Sequence, residues 1–186
     1  AESKQLRVSG NYRTFLTKRF DRQGRDRIHF ASAMTMTGNT ESTLKDRPAS
    51  YLDIAEFIQF SGANPGQDLR QLWRRIAFNI AVSNTDDHLR NHGFLLAPDG
   101  WRLSPAFDMN PVAGKGGLAL NINMDDNALD FDLALSVGEY FRLTMPEMRS
   151  ILQEVEAAVR NWRELAVEIQ IPRQEQEILA PAFRNP

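Results

Sequence analysis

The stretch Asn84-Thr85-Asp86-Asp87-His88-Leu89-Arg90-Asn91, answered downstream by Ser104-Pro105-Ala106-Phe107-Asp108, decides how this chain is read. It sets Asp86, Asn91 and Asp108 at the intervals that phosphoryl transfer uses: an Asp that accepts the substrate hydroxyl proton, an Asn five positions on that holds one Mg²⁺, and a later Asp that holds another. The intervals have a physical reason. An Asp and an Asn separated by four residues stand at the two ends of one short loop with their oxygens toward the same cleft, and Mg²⁺ takes such hard oxygens. Between Asn91 and Asp108 the chain reads Phe94-Leu95-Leu96, Ala97-Pro98-Asp99-Gly100 and Trp101-Arg102-Leu103, an apolar strand, a Pro-Asp-Gly turn and a returning strand. A hairpin of that length predicts that Asp108 returns beside the loop holding Asn91. Taken singly, each of the three reads as an ordinary turn or capping residue. Their joint spacing around a hairpin is what points to a site.

Working outward, Leu69, Leu72, Trp73, Ile76 and Ile80 recur at helical spacing, which predicts a core-facing helix delivering the Asp86 loop at its C-terminal end, with Trp73 in the core. A helix is expected after Tyr51, carrying Leu52, Ala55, Phe57 and Ile58 and stopping by Gly62 and Pro65. Residues 13–20 have a β pattern entered through a turn at Ser9-Gly10-Asn11, residues 38–48 read as a mobile polar loop, and Ser32-Ala33-Met34 begins a short helix. Downstream, Gly114-Lys115-Gly116-Gly117 reads as a flexible turn into a strand over 118–122. Asp125, Asp126, Asp130 and Asp132 lack the Gly and Glu of a calcium loop and read as solvated or capping carboxylates. Thr144-Met145-Pro146-Glu147 is a capping box opening one long amphipathic helix through Ile151, Val155, Val159, Trp162 and Leu165, with a final short helix after Pro172.

The motif resembles that of the HipA-family toxin kinases, whose catalytic loop reads roughly Thr-Asp-x-His-x-Lys-Asn and whose metal segment reads aromatic-Asp. Thr85-Asp86-Asp87-His88-Leu89-Arg90-Asn91 and Phe107-Asp108 match it, with Arg90 where the family has Lys and Phe107 where Tyr is common. Arg keeps the charge but holds phosphate with a different geometry. Upstream, Lys18-Arg19-Phe20-Asp21-Arg22 resembles the family's hinge, where backbone groups meet adenine. The resemblance implies an α+β, mostly helical fold, a kinase-like C-lobe of the HipA and phosphatidylinositol-kinase kind, with a hinge strand and a short hairpin carrying the metal site. It implies ATP and Mg²⁺ as cofactors, Asp86 as catalytic base, and Asn91 and Asp108 as metal ligands. Lys18, Arg19, Phe20, His88, Arg90, Asn91, Phe107 and Asp108 would then line the nucleotide site. It further implies a protein serine or threonine as acceptor, an aminoacyl-tRNA synthetase as target, a helix-turn-helix antitoxin repressor as partner, and contact with DNA only through that antitoxin.

No glycine-rich loop or phosphate-holding Lys strand precedes Lys18. The expectation is therefore that residues 1–186 form one C-terminal lobe whose N-lobe lies outside the chain. Composition agrees with one ordinary globular domain: 186 residues, 42% hydrophobic, 25% charged. A net charge of -2 gives no global nucleic-acid signature, although Arg19, Arg22, Arg25 and Arg27 cluster locally. The absence of cysteine excludes disulfides and thiolate chemistry and agrees with a cytoplasmic protein. No apolar run approaches the roughly 20 residues of a membrane span.

Two other functions fit the residues. His88 and His92, four apart, could share a helix face as a transition-metal pair with Asp86, Asp87 or Asp108, giving a metal-dependent hydrolase. The Asn91-His92-Gly93 sequence is poor helix, which weighs against that geometry and leaves His92 incidental in the kinase-like reading. Alternatively the lobe is a non-catalytic module that docks an antitoxin or a separate N-lobe.

Overall fold

The computed structural model describes residues 1–9, 12–114 and 116–184. Gly10 and Asn11 of the expected turn, and Lys115 of the glycine-rich run, lie outside them. The chain opens with β1 (Ser3–Ser9) and β2 (Tyr12–Thr17), antiparallel partners of each other, then the short pair β3 (Arg22–Gln23) and β4 (Asp26–Arg27). β5 (Phe30–Ser32) leads into α1 (Ala33–Met36), α2 (Thr43–Asp46), α3 (Tyr51–Ser61) and α4 (Pro65–Ala81). The hairpin β6 (Gly93–Ala97) and β7 (Gly100–Leu103) completes a three-stranded antiparallel sheet in the order β5-β6-β7. Helices α5 (Phe131–Ser136), α6 (Met145–Arg160), α7 (Trp162–Glu168) and α8 (Arg173–Leu179) follow. The chain is 44% helical and 16% strand, an α+β fold in which helices dominate.

α4 is the axis of the body. Its apolar stripe, Leu69, Leu72, Trp73, Ile76 and Ile80, is fully buried, and Trp73 Nε1 donates to the Ala134 carbonyl at 3.0 Å, so the one polar atom of the ring is satisfied in the core. Asn64 caps the helix through Gln67 N, with Pro65 in its first turn. α3 packs beside it and starts with a full capping box: Leu52 N donates to Ser50 Oγ at 3.0 Å and Ser50 N to Asp53 Oδ2 at 2.8 Å. Thr144 opens α6 with the expected capping box. Thr144 N donates to Glu147 Oε2 at 2.9 Å, while the Thr144 hydroxyl donates to the same oxygen at 2.7 Å.

Four elements differ from the sequence expectation. The strand expected over 13–20 stops at Thr17, leaving Lys18 to Phe20 outside any ladder, and it gains β1 as a partner. Helix α2 interrupts the 38–48 loop. Residues 118–122 form no strand: Leu118, Leu120 and Ile122 are buried, as is Asn121, and the backbone makes one parallel bridge, Ser50 to Asn121. A period of two records which side faces the core and does not supply a neighbouring strand. The long C-terminal helix breaks at Asn161, after which Trp162 turns to stack on Phe183, centroids 4.1 Å apart and rings 4° from parallel. Asp130 caps α5 through Asp132 N, and Asp126 accepts from Ala128 N, as expected of capping and turn carboxylates.

Candidate active site

The loop leaving α4 passes Ser83 in the left-handed region, φ 49°, and is held from beneath by a buried polar network. Asp87 Oδ2 accepts from Tyr51 Oη at 2.6 Å and from Asn79 Nδ2 at 2.7 Å, and lies 2.8 Å from His92 Nε2. Asn84 Nδ2 donates to Asn79 Oδ1 at 3.1 Å, which extends the network back to the loop entrance. Burial alone would raise the Asp87 carboxyl, but the His92 ring, its hydrogen bond and that of Tyr51, with Arg75 nearby, hold it below the usual Asp value. Burial, and then the Asp87 charge, push the Tyr51 phenol well above its ordinary value. This corrects the reading of His92 as incidental. Its ring is 1% exposed and turned into the core, so it does not converge with His88 on a shared metal site. Among the described residues no three His, Cys, Asp or Glu side chains gather to hold a metal.

Asp86, one residue earlier, is in the opposite condition. It is exposed, and its carboxylate makes no hydrogen bond or ion pair among the described residues. Its backbone carbonyl accepts from Asn91 Nδ2 at 3.1 Å, so Asn91 is fixed with its amide nitrogen occupied and its oxygen left without a protein donor. His88 is half-buried with Nδ1 unpartnered.

The segment carrying Asp108 is pinned to this loop on both sides. Ser104 N donates to the Gly93 carbonyl at 2.9 Å, and Val112 N to the Ser83 carbonyl at 3.2 Å. Asp108 is exposed at φ 55°, a left-handed conformation that Asp tolerates better than most residues, and its Oδ1 accepts from Asn110 Nδ2 at 2.9 Å. The chain on either side of Asp108 is thus bonded to Gly93, at the start of β6, and to Ser83, at the entrance of the loop.

Residues 17–21, with Phe30 and Phe107, line a cavity of about 310 Å³. The rings of Phe20 and Phe107 stand 5.6 Å apart, those of Phe20 and Phe30 5.8 Å, and those of Phe30 and Phe107 6.2 Å. Phe30 is an aromatic lining residue that sequence reasoning did not single out. Gly93 admits it, since a Cβ there would lie 2.2 Å from the Phe30 ring. Lys18 N already donates to the Glu2 carbonyl at 2.8 Å, and its ammonium lies 3.0 Å from the Glu2 carboxylate. Arg19 and Arg22 both clamp Asp21, and the Arg19 hydrogen bond, outweighing partial desolvation, holds that carboxyl down to about 2. Arg90 pairs with Glu41 across the loop. The expected basic patch is therefore half spent on its own acid.

The family model described as HipA-like C-terminal domain matches residues 1–162. The protein Y4mE of Sinorhizobium fredii, named as a suspected kinase, is 31% identical over 111 residues, covering 54% of this chain and 26% of that relative. Among solved structures, HipA of Shewanella oneidensis MR-1, from a toxin-antitoxin system and solved with HipB and operator DNA, superposes with a TM-score of 0.75 at 18% identity. That match covers 97% of this chain and 48% of the other, so the chain spans about half the length of the structure it resembles. Among the described residues no helix is long and apolar enough to cross a membrane.

Proposed function

The chain belongs to the HipA-like C-terminal domain family, and on that premise we propose that it is the catalytic lobe of a Mg²⁺-dependent protein serine/threonine kinase. The observation that carries the reading is the double pinning of the Asp108 segment, Ser104 to Gly93 and Val112 to Ser83, around a loop that exposes an unpartnered Asp86 and fixes Asn91.

The residues fit the implied cofactors. Asn91, with an amide oxygen, and Asp108, with a carboxylate, would hold Mg²⁺ as hard oxygen donors. When bound, Mg²⁺ and ATP would supply the γ-phosphoryl group and the neutralisation of its charge. Asp86 accepts the proton of the acceptor hydroxyl, its exposure giving a protein side chain access and its lack of partners leaving both oxygens free. The Asp87 network holds the loop so that Asp86 needs no reorganisation. The Phe20, Phe30 and Phe107 cluster provides an apolar slot for adenine, and with Lys18 N occupied, backbone recognition falls to the Lys18 carbonyl and to Phe20. His88 and Arg90 border the phosphates, Arg90 after release from Glu41.

The N-lobe that would cover the phosphates lies outside this chain on this reading. In the cell the protein would act in the cytoplasm as the toxin of a toxin-antitoxin pair, held by a helix-turn-helix repressor and phosphorylating a protein such as an aminoacyl-tRNA synthetase. One observation favours the second reading, a lobe that binds without turning over: the cations beside the site, Lys18 and Arg90, are each already paired with a glutamate.

Calorimetric titration with ATP, with and without Mg²⁺, tests the proposal. Metal-dependent binding is expected in the wild type and in Asp86→Ala, and should be weakened in Asp108→Ala. Turnover in Asp86→Ala should fall by about 10²- to 10⁴-fold. Equal loss of binding and turnover in both variants would sink the assigned roles, and binding without any turnover in the protein as encoded would select the second reading.

A further inference from the structure

Of the three rings that line the 310 Å³ cavity, Phe30 is the one whose place a sheet fixes. It pairs with Leu95 across β5 and β6, and beside it Leu96 N donates to the His29 carbonyl at 2.9 Å. Phe20 and Phe107 stand on segments outside any ladder. The Phe30 ring lies against Gly93, where a Cβ would overlap it and would also come within 3.2 Å of the Ala31 carbonyl oxygen. Glycine at 93 therefore makes the room that the ring fills. The ring is still only partly covered, since Phe30 keeps 36% of its surface exposed.

The spacing of the rings limits how a base enters. Their centres stand 5.6, 5.8 and 6.2 Å apart, whereas a base sandwiched between two rings needs roughly 7 Å, two contact distances of ~3.5 Å. No pair of these rings takes a base between its faces. A base in this cavity lies against the cluster, with residues 17–21 supplying the rest of the walls. A ring that a sheet and a close-packed glycine hold in place rejects a larger base by clash, which is one of the ways a site discriminates between ligands.

We infer that Phe30 is a specificity-determining residue of the nucleotide site: its ring sets the size of base that the cavity accepts, and Gly93 is the residue that positions it. The inference rests on the reading of this cavity as the adenine slot. Gly93 has a second attachment, because its carbonyl accepts from Ser104 N at 2.9 Å, ahead of the segment that bears Phe107 and Asp108. A test of its role at Phe30 has to separate the two.

The test is calorimetric titration of the protein as encoded, with Mg²⁺ present, against ATP and three analogues bearing a phenyl or benzyl group on N6, C2 or C8 of the purine. Phe30→Ala removes a ring of the size that each analogue adds. The wild type should reject at least one analogue by about tenfold or more relative to ATP. Phe30→Ala should recover that analogue by about tenfold while binding ATP about tenfold more weakly through lost stacking. Phe30→Leu should shift the same ratio by less, and it decides the matter if Phe30→Ala fails to fold. Gly93→Ala should weaken ATP binding in the wild type and have little further effect when added to Phe30→Ala, because no ring is left to displace. An equal effect in both backgrounds would overturn the role of Gly93. A wild type that accepts all three analogues, or a Phe30→Ala variant that weakens ATP and every analogue by one common factor, would overturn the role of Phe30 and leave the nucleotide reading standing. No ATP binding by the wild type would remove both.

Discussion

In the loop after α4, Asn84, Asp87, Asn91 and His92 are all buried and every one of them hydrogen-bonds to its neighbours, whereas in the β1–β2 hairpin Val8 and Phe15 stand 71% exposed on a two-stranded sheet joined to no other strand. The difference is one of support. The loop is a polar segment fixed by helices on two sides, Tyr51 from α3 and Asn79 from α4, so its geometry is set before any ligand arrives. The hairpin pairs its own backbone and has little else to bury, and an isolated two-stranded sheet is marginal in water. Within the loop the same contrast recurs between adjacent carboxylates, Asp87 buried with three partners and Asp86 exposed with none. One carboxylate holds the loop; the other is left available for chemistry.

The sharpest way to break this comparison is at Asp87. Asp87→Ala leaves Tyr51, Asn79 and His92 without their shared acceptor and should cost about 3 to 5 kcal/mol in urea denaturation; a cost below about 1 kcal/mol would mean the network does not carry the loop. The pH dependence of stability sharpens the same point. The Asp87 pKa is depressed in the folded state, so its contribution is present above the unfolded Asp value of about 3.9 and is lost as pH falls through the lower folded value. Wild type should therefore lose stability more steeply than Asp87→Asn below about pH 4 in acid titrations followed by circular dichroism. Ser50→Ala, which removes the cap of the helix that supplies Tyr51, should cost about 1 kcal/mol and lower the thermal midpoint accordingly. Smallest of all, Phe15→Ser on the hairpin and Asp86→Ala in the loop should each change stability by no more than about 0.5 kcal/mol. A large loss in Phe15→Ser would show that the hairpin face is covered.

Much of the body was legible because its signals are local. The α4 stripe at 69–80, the stops at Gly62 and Pro65, and the Pro-Asp-Gly hairpin each rest on periodicity or turn chemistry within a dozen residues. Failures came where a distant partner decides. Leu118, Leu120 and Ile122 alternate as a strand does, yet the backbone beside them is α3's cap rather than a strand edge. Helix α6 ends at Asn161 because Trp162 finds Phe183, which no window around Asn161 contains. His88 and His92 looked like a pair at i and i+4, but the loop is not helical and Asp87 claims His92.

By itself, then, the sequence determined the identities and spacing of Asp86, Asn91 and Asp108 and the hairpin between them, because loop length and turn chemistry are written in consecutive residues. Only the tertiary structure decided that Asp86 stays free while Asp87 is buried, and that Phe30 joins Phe20 and Phe107. Those outcomes depend on which side chains from remote elements reach the same few ångströms, and burial and hydrogen-bond competition are settled only once the chain has folded.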